Sequence, residues 1–312
     1  IYLRDQFVQL AEADISVNWG VLILAQLGMT IGLAILPLGS FLTLRALHEP
    51  LPAIIVWRVF FISNVAKYLP GSVWALPGRA FLYQRNGITT MHSVMAVFWE
   101  VLLMVAGAGV TALLSLRLVS YYVSSTAIYA GLFVGAVLFA IIVWGIGSGR
   151  IVNWLKARQL PVMVQRLIDQ RVVWLTLGDY ARVIATYILA WCMIGLSFAG
   201  MVYAIHPHLN TRDVIEIIGL YAGTWMIGFL VIITPGGIGV RDGLIILGLS
   251  VFILEPIPAL AAIIARIGWT LAEIFGVAIS TLIFYISRKS LTDSEAQFQS
   301  GDNDEKIVQN TP

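Results

Sequence analysis

Two short stretches of this chain hold most of the residue types able to do chemistry, and each is built on a Pro-Gly break. The first runs Asn64-Val-Ala-Lys67-Tyr68-Leu69-Pro70-Gly71-Ser72-Val73-Trp74 and continues to Pro77-Gly78-Arg79. The second is Thr234-Pro235-Gly236-Gly237-Ile238-Gly239-Val240-Arg241-Asp242. Proline removes a backbone donor and stops a helix, while glycine lets the chain turn sharply and approach a ligand closely. Bases sit beside both breaks, and fifteen of the nineteen bases in the chain are arginine. A guanidinium grips a phosphate with a planar fork of donors and is less strongly hydrated than an ammonium. Helix N-termini opened by a break add oriented amides that also favour anions. Arg58, Lys67, Arg79, Arg241 and Arg266 around two such breaks therefore suit a phosphate-bearing group.

The elements that must position these residues are membrane helices. The chain has 312 residues, of which 59% are hydrophobic and only 12% charged, with a mean hydropathy of +0.88. Soluble domains carry about 25% charged residues. The deficit leaves too little polar surface for a water-soluble globule, which excludes a soluble enzyme, a disordered chain and a nucleic-acid binder. A net charge of +2 names no partner. The single cysteine, Cys192, lies in an apolar run and packs there as a small hydrophobe.

Gaps in the charge pattern give the spans. No Asp, Glu, Lys or Arg lies between Asp14 and Arg45, Arg117 and Arg150, Arg182 and Arg212, or Glu216 and Arg241. Each gap exceeds the roughly 20 apolar residues that cross a bilayer core. Residues 93–116 form a further helix around Glu100, and residues 257–286 one that carries Arg266 and Glu273. Residues 51–69 are apolar but hold Arg58, Asn64 and Lys67, and residues 243–254 are too short to span alone. The expected fold is an all-α polytopic membrane protein of about 6–8 hydrophobic helical segments, some broken or re-entrant.

Lys/Arg bias orients the spans. Residues 149–182 hold Arg150, Lys156, Arg158, Arg166, Arg171 and Arg182 against Asp169 and Asp179, and Arg288 and Lys289 follow the last helix. Both regions, and with them the C-terminus, are expected on the cytoplasmic side. Residues 1–14, with one base and three acids, suit the outside. For the helices around residues 18–38 and 93–116 to fit this orientation, residues 51–69 must enter and return as a re-entrant hairpin. Residues 217–254 read either as two crossings or as one re-entrant pair. The 149–182 segment interleaves Trp154, Trp174 and aliphatic residues with its bases, the pattern of an amphipathic anchor in the headgroup layer. The polar tail, 287–312, lacks periodicity and is expected to be disordered.

The two breaks correspond in position. Glu100 follows Pro70 by thirty residues, and Arg266 follows Pro235 by thirty-one. An apolar segment with a tryptophan, Trp57 or Trp225, precedes each break, and an arginine, Arg79 or Arg241, follows it. Paired interrupted segments in two halves point to an internal, inverted repeat around a central cavity. The expected organisation is one membrane domain over 1–286, with halves at about 15–148 and 183–286 joined by the 149–182 linker. Buried charge strengthens this reading. Arg58, Lys67, Glu100, Arg266 and Glu273 fall in membrane-length segments, and five charges facing lipid would cost on the order of 15 kcal/mol. They must pair or line an interior, and Glu100 is a natural partner for Arg266 or Arg58. For any one of them a structural ion pair explains the charge equally well. The set beside two breaks is what points to function.

These residues carry a resemblance. The run N-x-x-K-Y-L-P-G-x-V-W from Asn64 to Trp74, then Arg79, Gly87-Ile88 and intramembrane Glu100, resembles the flippase-like transmembrane family. That family includes the membrane part of lysylphosphatidylglycerol synthases. Pro235-Gly236-Gly237-Ile238-Gly239-Val240-Arg241-Asp242 is similar to the family's P-G-G-x-G-x-x-E, with Asp242 where glutamate is usual and Arg266 in the helix that follows. The resemblance covers about residues 15–290 and implies movement of a polar-headed lipid between leaflets. In the bifunctional synthases a soluble domain makes the aminoacyl lipid. Only 26 residues, 287–312, follow the last expected helix here, so the reading expects the translocating part alone.

The expected activity is therefore flippase- or scramblase-like translocation of a phosphate-bearing or glycosylated lipid across a prokaryotic plasma membrane. Membrane lipids are the expected partners, beside a second copy of the chain or a separate lipid-synthesising enzyme. The translocation site is expected to comprise Arg58, Asn64, Lys67, Tyr68, Pro70, Gly71, Trp74, Arg79, Glu100, Pro235, Gly236, Gly237, Gly239, Arg241, Asp242, Arg266 and Glu273. Glu100 and Glu273 either pair with bases or bind a cationic part of the headgroup. No G-x-x-x-x-G-K-[ST] motif is present, so nucleotide hydrolysis by this chain is not expected to drive transport. Neither a cofactor nor a metal is implied, and His206-Pro-His208 reads as a loop without a third ligand. A membrane-embedded lipid-sugar transferase, an accessory subunit and a small-solute or ion-coupled carrier are the alternatives. A solute carrier would show uncharged polar residues at a narrow midplane site instead of bases at breaks.

Overall fold

A computed structural model of the chain describes residues 16–68, 74–147, 175–231, 237 and 239–309. The described residues are helical, with no strand among them. Helix α1 is Trp19–Ala46, α2 Ala53–Val65, α3 Ala75–Arg85, α4 Thr90–Ala112, α5 Leu116–Tyr122 and α6 Ser125–Gly147. Helix α7 is Leu177–Ile205, α8 Thr211–Leu230, α9 Val240–Leu249 and α10 Ile257–Gln309. Five stretches are long and apolar enough to cross a membrane: Trp19–Ala46, Thr90–Tyr122, Leu177–Ile205, Thr211–Leu230 and Ile257–Ser287. Three of them fall in the charge gaps, and Thr90–Tyr122 and Ile257–Ser287 are the two charge-bearing helices expected over 93–116 and 257–286; the remaining gap, Arg117 to Arg150, holds α6, whose described apolar stretch, Ser125–Ile141, is shorter. Exposed Leu, Ile and Phe cover their outer faces, as expected where the solvent is lipid.

Capping fixes where the spans begin. Asn18 accepts from the Val21 amide, and Thr89 from the His92 amide. Reciprocal caps, Thr176 with Asp179 and Asn210 with Asp213, start α7 and α8 by satisfying amides that the helix itself leaves open. The first of these starts α7 at Leu177, inside the segment assigned from its bases to the linker. The rest of the expected amphipathic anchor, 149–174, lies outside the described residues.

Close packing builds the centre. Helices α1 and α7 run antiparallel with glycine at the contact: a Cβ on Gly28 would lie 2.5 Å from Ser197 Oγ, on Gly32 2.6 Å from Ile194 Cγ1, and on Gly39 2.3 Å from Tyr187 Cζ. Without a hydrophobic drive between membrane helices, such backbone approach supplies the dispersion energy of association. Around this pair lie α4, which sets Gly107 against Tyr187, and α10, whose Gly268 carbonyl accepts from Gln26 Nε2 at 3.0 Å.

Three helices beside the breaks, α2, α3 and α9, are too short to cross. Helix α2 has 13 residues and ends in a 3₁₀ turn, Ala66–Tyr68; α3, of 11 residues, packs back against it. Glu49, just before α2, contacts His92 at the start of α4 at 2.5 Å, so the α2–α3 hairpin leaves and returns at one end of the bundle. Helix α9, of 10 residues, folds back along α8, with Gly248 against Leu220 and Gly237 against Gly228. In chain order the two short helices α2 and α3 lie between the long α1 and α4, and the short α9 follows the span-length α8 between the long α7 and α10. Helix α10 continues through the tail expected to be disordered. That stretch has one glycine, Gly301, and no proline before Pro312, so nothing in it stops a helix.

Candidate functional site

The site lies where the two hairpins meet α10. A cavity of about 580 Å³ is lined by residues of both hairpins, among them Asn64, Lys67, Tyr68, Arg79, Gly237, Arg241 and Asp242, and by Arg266, Trp269 and Glu273 of α10. Most of the remaining lining is apolar, including Leu36, Phe60, Met104, Trp225 and Phe229. Charges in such a wall are stable only when their donors and acceptors are met within the protein.

On the side of the first break they are met completely. Arg79 of α3 pairs with Glu100 of α4, and the two are 2% and 1% exposed. Arg79 also donates from Nε to Ser63 Oγ at 2.9 Å and from Nη2 to Asn64 Oδ1 at 2.6 Å, and its guanidinium lies 4.2 Å from the Phe60 ring centre. Glu100 accepts further bonds from Ser40 at 2.6 Å and Tyr83 at 3.5 Å. The partner of Glu100 is therefore Arg79, rather than Arg266 or Arg58. Helices α3 and α4 are consecutive and packed together, whereas α2 carries Arg58 toward α10. There its guanidinium stacks on Phe284 at 4.1 Å, outside the cavity lining.

A second cluster joins the first break to the last helix. Lys67 pairs with Glu273, which also accepts from Tyr68 Oη at 2.8 Å and from Trp269 Nε1 at 2.9 Å. Three donors from two parts of the chain thus converge on one carboxylate.

At the second break, Asp242 takes a forked pair of bonds from Arg266, Nε to Oδ1 at 3.2 Å and Nη2 to Oδ2 at 2.5 Å. Its Oδ2 also accepts from the Gly239 amide at 3.1 Å, which caps α9. Gly239, at φ +85°, and Gly237, at φ +72°, take the left-handed backbone that glycine alone adopts without strain. This turn presents Arg241 to the cavity. Its guanidinium is held between the rings of Tyr221 at 4.5 Å and Trp269 at 4.7 Å. Its Nε and Nη2 are buried and have no hydrogen-bond acceptor among the described residues, and the Tyr221 hydroxyl is likewise buried without a partner.

Of the residues singled out from sequence, Asn64, Lys67, Tyr68, Arg79, Gly237, Arg241, Asp242, Arg266 and Glu273 line one cavity, and Glu100 backs it through Arg79. Gly239 shapes the turn without lining it, and Trp74 precedes α3 at the rim, 54% exposed. Pro70, Gly71, Pro235 and Gly236 lie outside the described residues. Sequence reasoning missed Ser40, Ser63 and Tyr83, which complete the Arg79–Glu100 network. It also missed the aromatic wall of Tyr221, Trp269 and Phe229 as a site feature. Tyr221, Trp225 and Phe229 recur every four residues along α8, the spacing of one helical face.

Among curated proteins no significant match to the chain is found. The model of one family, described as the lysylphosphatidylglycerol synthase TM region, matches residues 2–280. The chain is an integral membrane protein with its charges gathered at two helix breaks around a cavity, and it belongs to the lysylphosphatidylglycerol synthase transmembrane-region family.

Proposed function

We propose that the chain moves a polar-headed, phosphate-bearing lipid between leaflets, with the headgroup passing through the cavity while the acyl chains stay in the bilayer. The observation that carries this reading is a cavity of about 580 Å³ walled by apolar residues and by buried charges from two broken hairpins. Family membership supports a lipid-related role. Helices that only hold one another need paired charges, and Arg79–Glu100 serves that purpose. A cavity-facing guanidinium with unmet donors serves no such purpose, and it suits a ligand that brings its own acceptors.

In this reading Arg241 and Lys67 handle the headgroup, and Glu273 holds Lys67 when the cavity is empty. The membrane is the prokaryotic plasma membrane, with the C-terminus in the cytoplasm. The test is leaflet exchange of a labelled phospholipid in vesicles carrying the purified protein. Protein-dependent exchange that disappears in Lys67→Ala, with the variant still folded, is the expected result. Exchange no faster than in protein-free vesicles, across anionic, zwitterionic and glycosylated lipids, would refute it.

A further inference from the structure

We infer that the cavity selects an anionic lipid, a phosphodiester with one net negative charge, and rejects a cationic aminoacylated headgroup. This inference rests on the translocation reading and names its substrate class. It follows from counting charges and hydrogen bonds at the site.

Around the cavity the described residues provide four bases, Lys67, Arg79, Arg241 and Arg266, and three carboxylates, Glu100, Asp242 and Glu273. Residues 69–73 and 232–236 in the breaks contain no charged side chain. Every carboxylate is engaged: Glu100 by Arg79, Ser40 and Tyr83; Asp242 by Arg266 and the Gly239 amide; Glu273 by Lys67, Tyr68 and Trp269. Three bases are consumed in these pairs. One positive charge is left, and it is Arg241, which also holds the unmet donors Nε and Nη2.

An ammonium headgroup would have to displace one of the protein's own cations from a carboxylate that already has two or more donors. That exchange leaves a buried base unpaired, which is costly in a low-dielectric wall. An anion asks for no such exchange. The two free oxygens of a phosphodiester share one negative charge, and their spacing matches the guanidinium fork. The Tyr221 and Trp269 faces fix the plane of that fork beforehand, so little side-chain freedom is lost on binding. One diester charge brings the cavity to neutrality, whereas a doubly charged phosphomonoester would overfill it.

The same diester chemistry could come from a lipid or from a soluble glycerophosphodiester, so the experiment includes both. Purified full-length protein in detergent is titrated with short-chain dihexanoyl-phosphatidylglycerol, with its lysyl ester, with dihexanoyl-phosphatidic acid and with chain-free glycerophosphoglycerol. Binding is read by tryptophan fluorescence, since Trp269 stacks on Arg241. The anionic diester is expected to bind at least about ten-fold more tightly than the lysyl ester, and Arg241→Gln to lose that binding by a similar factor. Arg58→Gln, which removes a guanidinium stacked on Phe284 outside the cavity lining, leaves binding unchanged. Asp242→Asn keeps Arg241 in place and raises the site charge by one, so it tightens binding of dihexanoyl-phosphatidic acid.

Equal or tighter binding of the lysyl ester overturns the inference. So does unchanged diester binding in folded Arg241→Gln, or unchanged phosphatidic acid binding in Asp242→Asn. Chain-free glycerophosphoglycerol binding as tightly as the lipid would make the site one for a soluble diester and would also overturn it. Leaflet exchange is scored separately. Exchange that prefers the lysyl lipid leaves translocation standing and this inference fallen, while selective diester binding without exchange does the reverse.

Discussion

Each broken hairpin places an arginine shortly after a Pro-Gly pair, Arg79 eight residues past Gly71 and Arg241 five past Gly236, and a short helix of each makes an ion pair with the long helix after it. Arg79 of α3 meets Glu100 of α4, and Asp242 of α9 meets Arg266 of α10. The signs are exchanged between the halves, and so is the burial. The first pair is at most 2% exposed, whereas Arg266 and Asp242 are 36% and 26% exposed. The arginine after the first break, Arg79, has an acceptor for each of its nitrogens. Its counterpart after the second, Arg241, has rings on two sides and, among the described residues, no acceptor at Nε or Nη2. One hairpin's arginine is satisfied within the fold; the other's keeps unmet donors, which in the proposed reading a ligand meets.

The sharpest way to break this contrast is to remove each arginine in turn. Arg79→Ala strands the Glu100 carboxylate in the interior, and unfolding in detergent is expected to lose about 3–5 kcal/mol of stability. A melting temperature close to wild type would erase the distinction between the hairpins. Arg241→Ala removes two ring contacts, so stability falls by about 1 kcal/mol, while lipid exchange falls at least about ten-fold, some 1.4 kcal/mol of lost interaction. If exchange survives and folding does not, the roles are reversed. Arg58→Ala offers a third case, a guanidinium stacked on Phe284 but outside the cavity. Its loss is expected to cost under about 1 kcal/mol in stability and to leave exchange at the wild-type rate; slowed exchange in that variant would extend the site to α2. The smallest effect is expected from Asp242→Glu, which brings in the acid of the P-G-G-x-G-x-x-E pattern that the second break resembles. The longer side chain still reaches Arg266 across a half-exposed pair, so stability shifts by under about 0.5 kcal/mol, and a larger change would mark the Gly239 cap as strained.

The spans were legible because lipid leaves a one-dimensional mark: three lie where charge is missing for long enough, and two more are apolar stretches broken only by Glu100 or by Arg266 and Glu273. The cavity was legible in outline because Pro-Gly breaks and intramembrane charge are both costly unless an interior receives them. The pairing was not legible. Glu100 lies 21 residues from its partner Arg79 and Asp242 lies 24 from Arg266, while Lys67 and Glu273 are 206 apart. Only the packing of short helices onto long ones decides among four bases and three acids. Ser40, Ser63 and Tyr83 were invisible for a related reason. Single hydroxyls are common in membrane helices, and only a buried carboxylate or guanidinium beside them gives them work. Arg58 illustrates the converse: its type and depth matched the site residues, but its rotation about α2 turns it toward Phe284.

The glycine seam between α1 and α7 has a mechanical consequence. At Gly28, Gly32 and Gly39 the two helices touch so closely that even one methyl group would collide with Ser197, Ile194 or Tyr187. Surfaces meshed that tightly neither slide nor roll without first separating, so the pair behaves as a stiff keel joining the two halves of the molecule. Compliance is then left to the pieces hung outside it, the 11 residues of α3 and the 10 of α9. Both are levers about 15 Å long, each tied to a neighbouring long helix by one acid and one base.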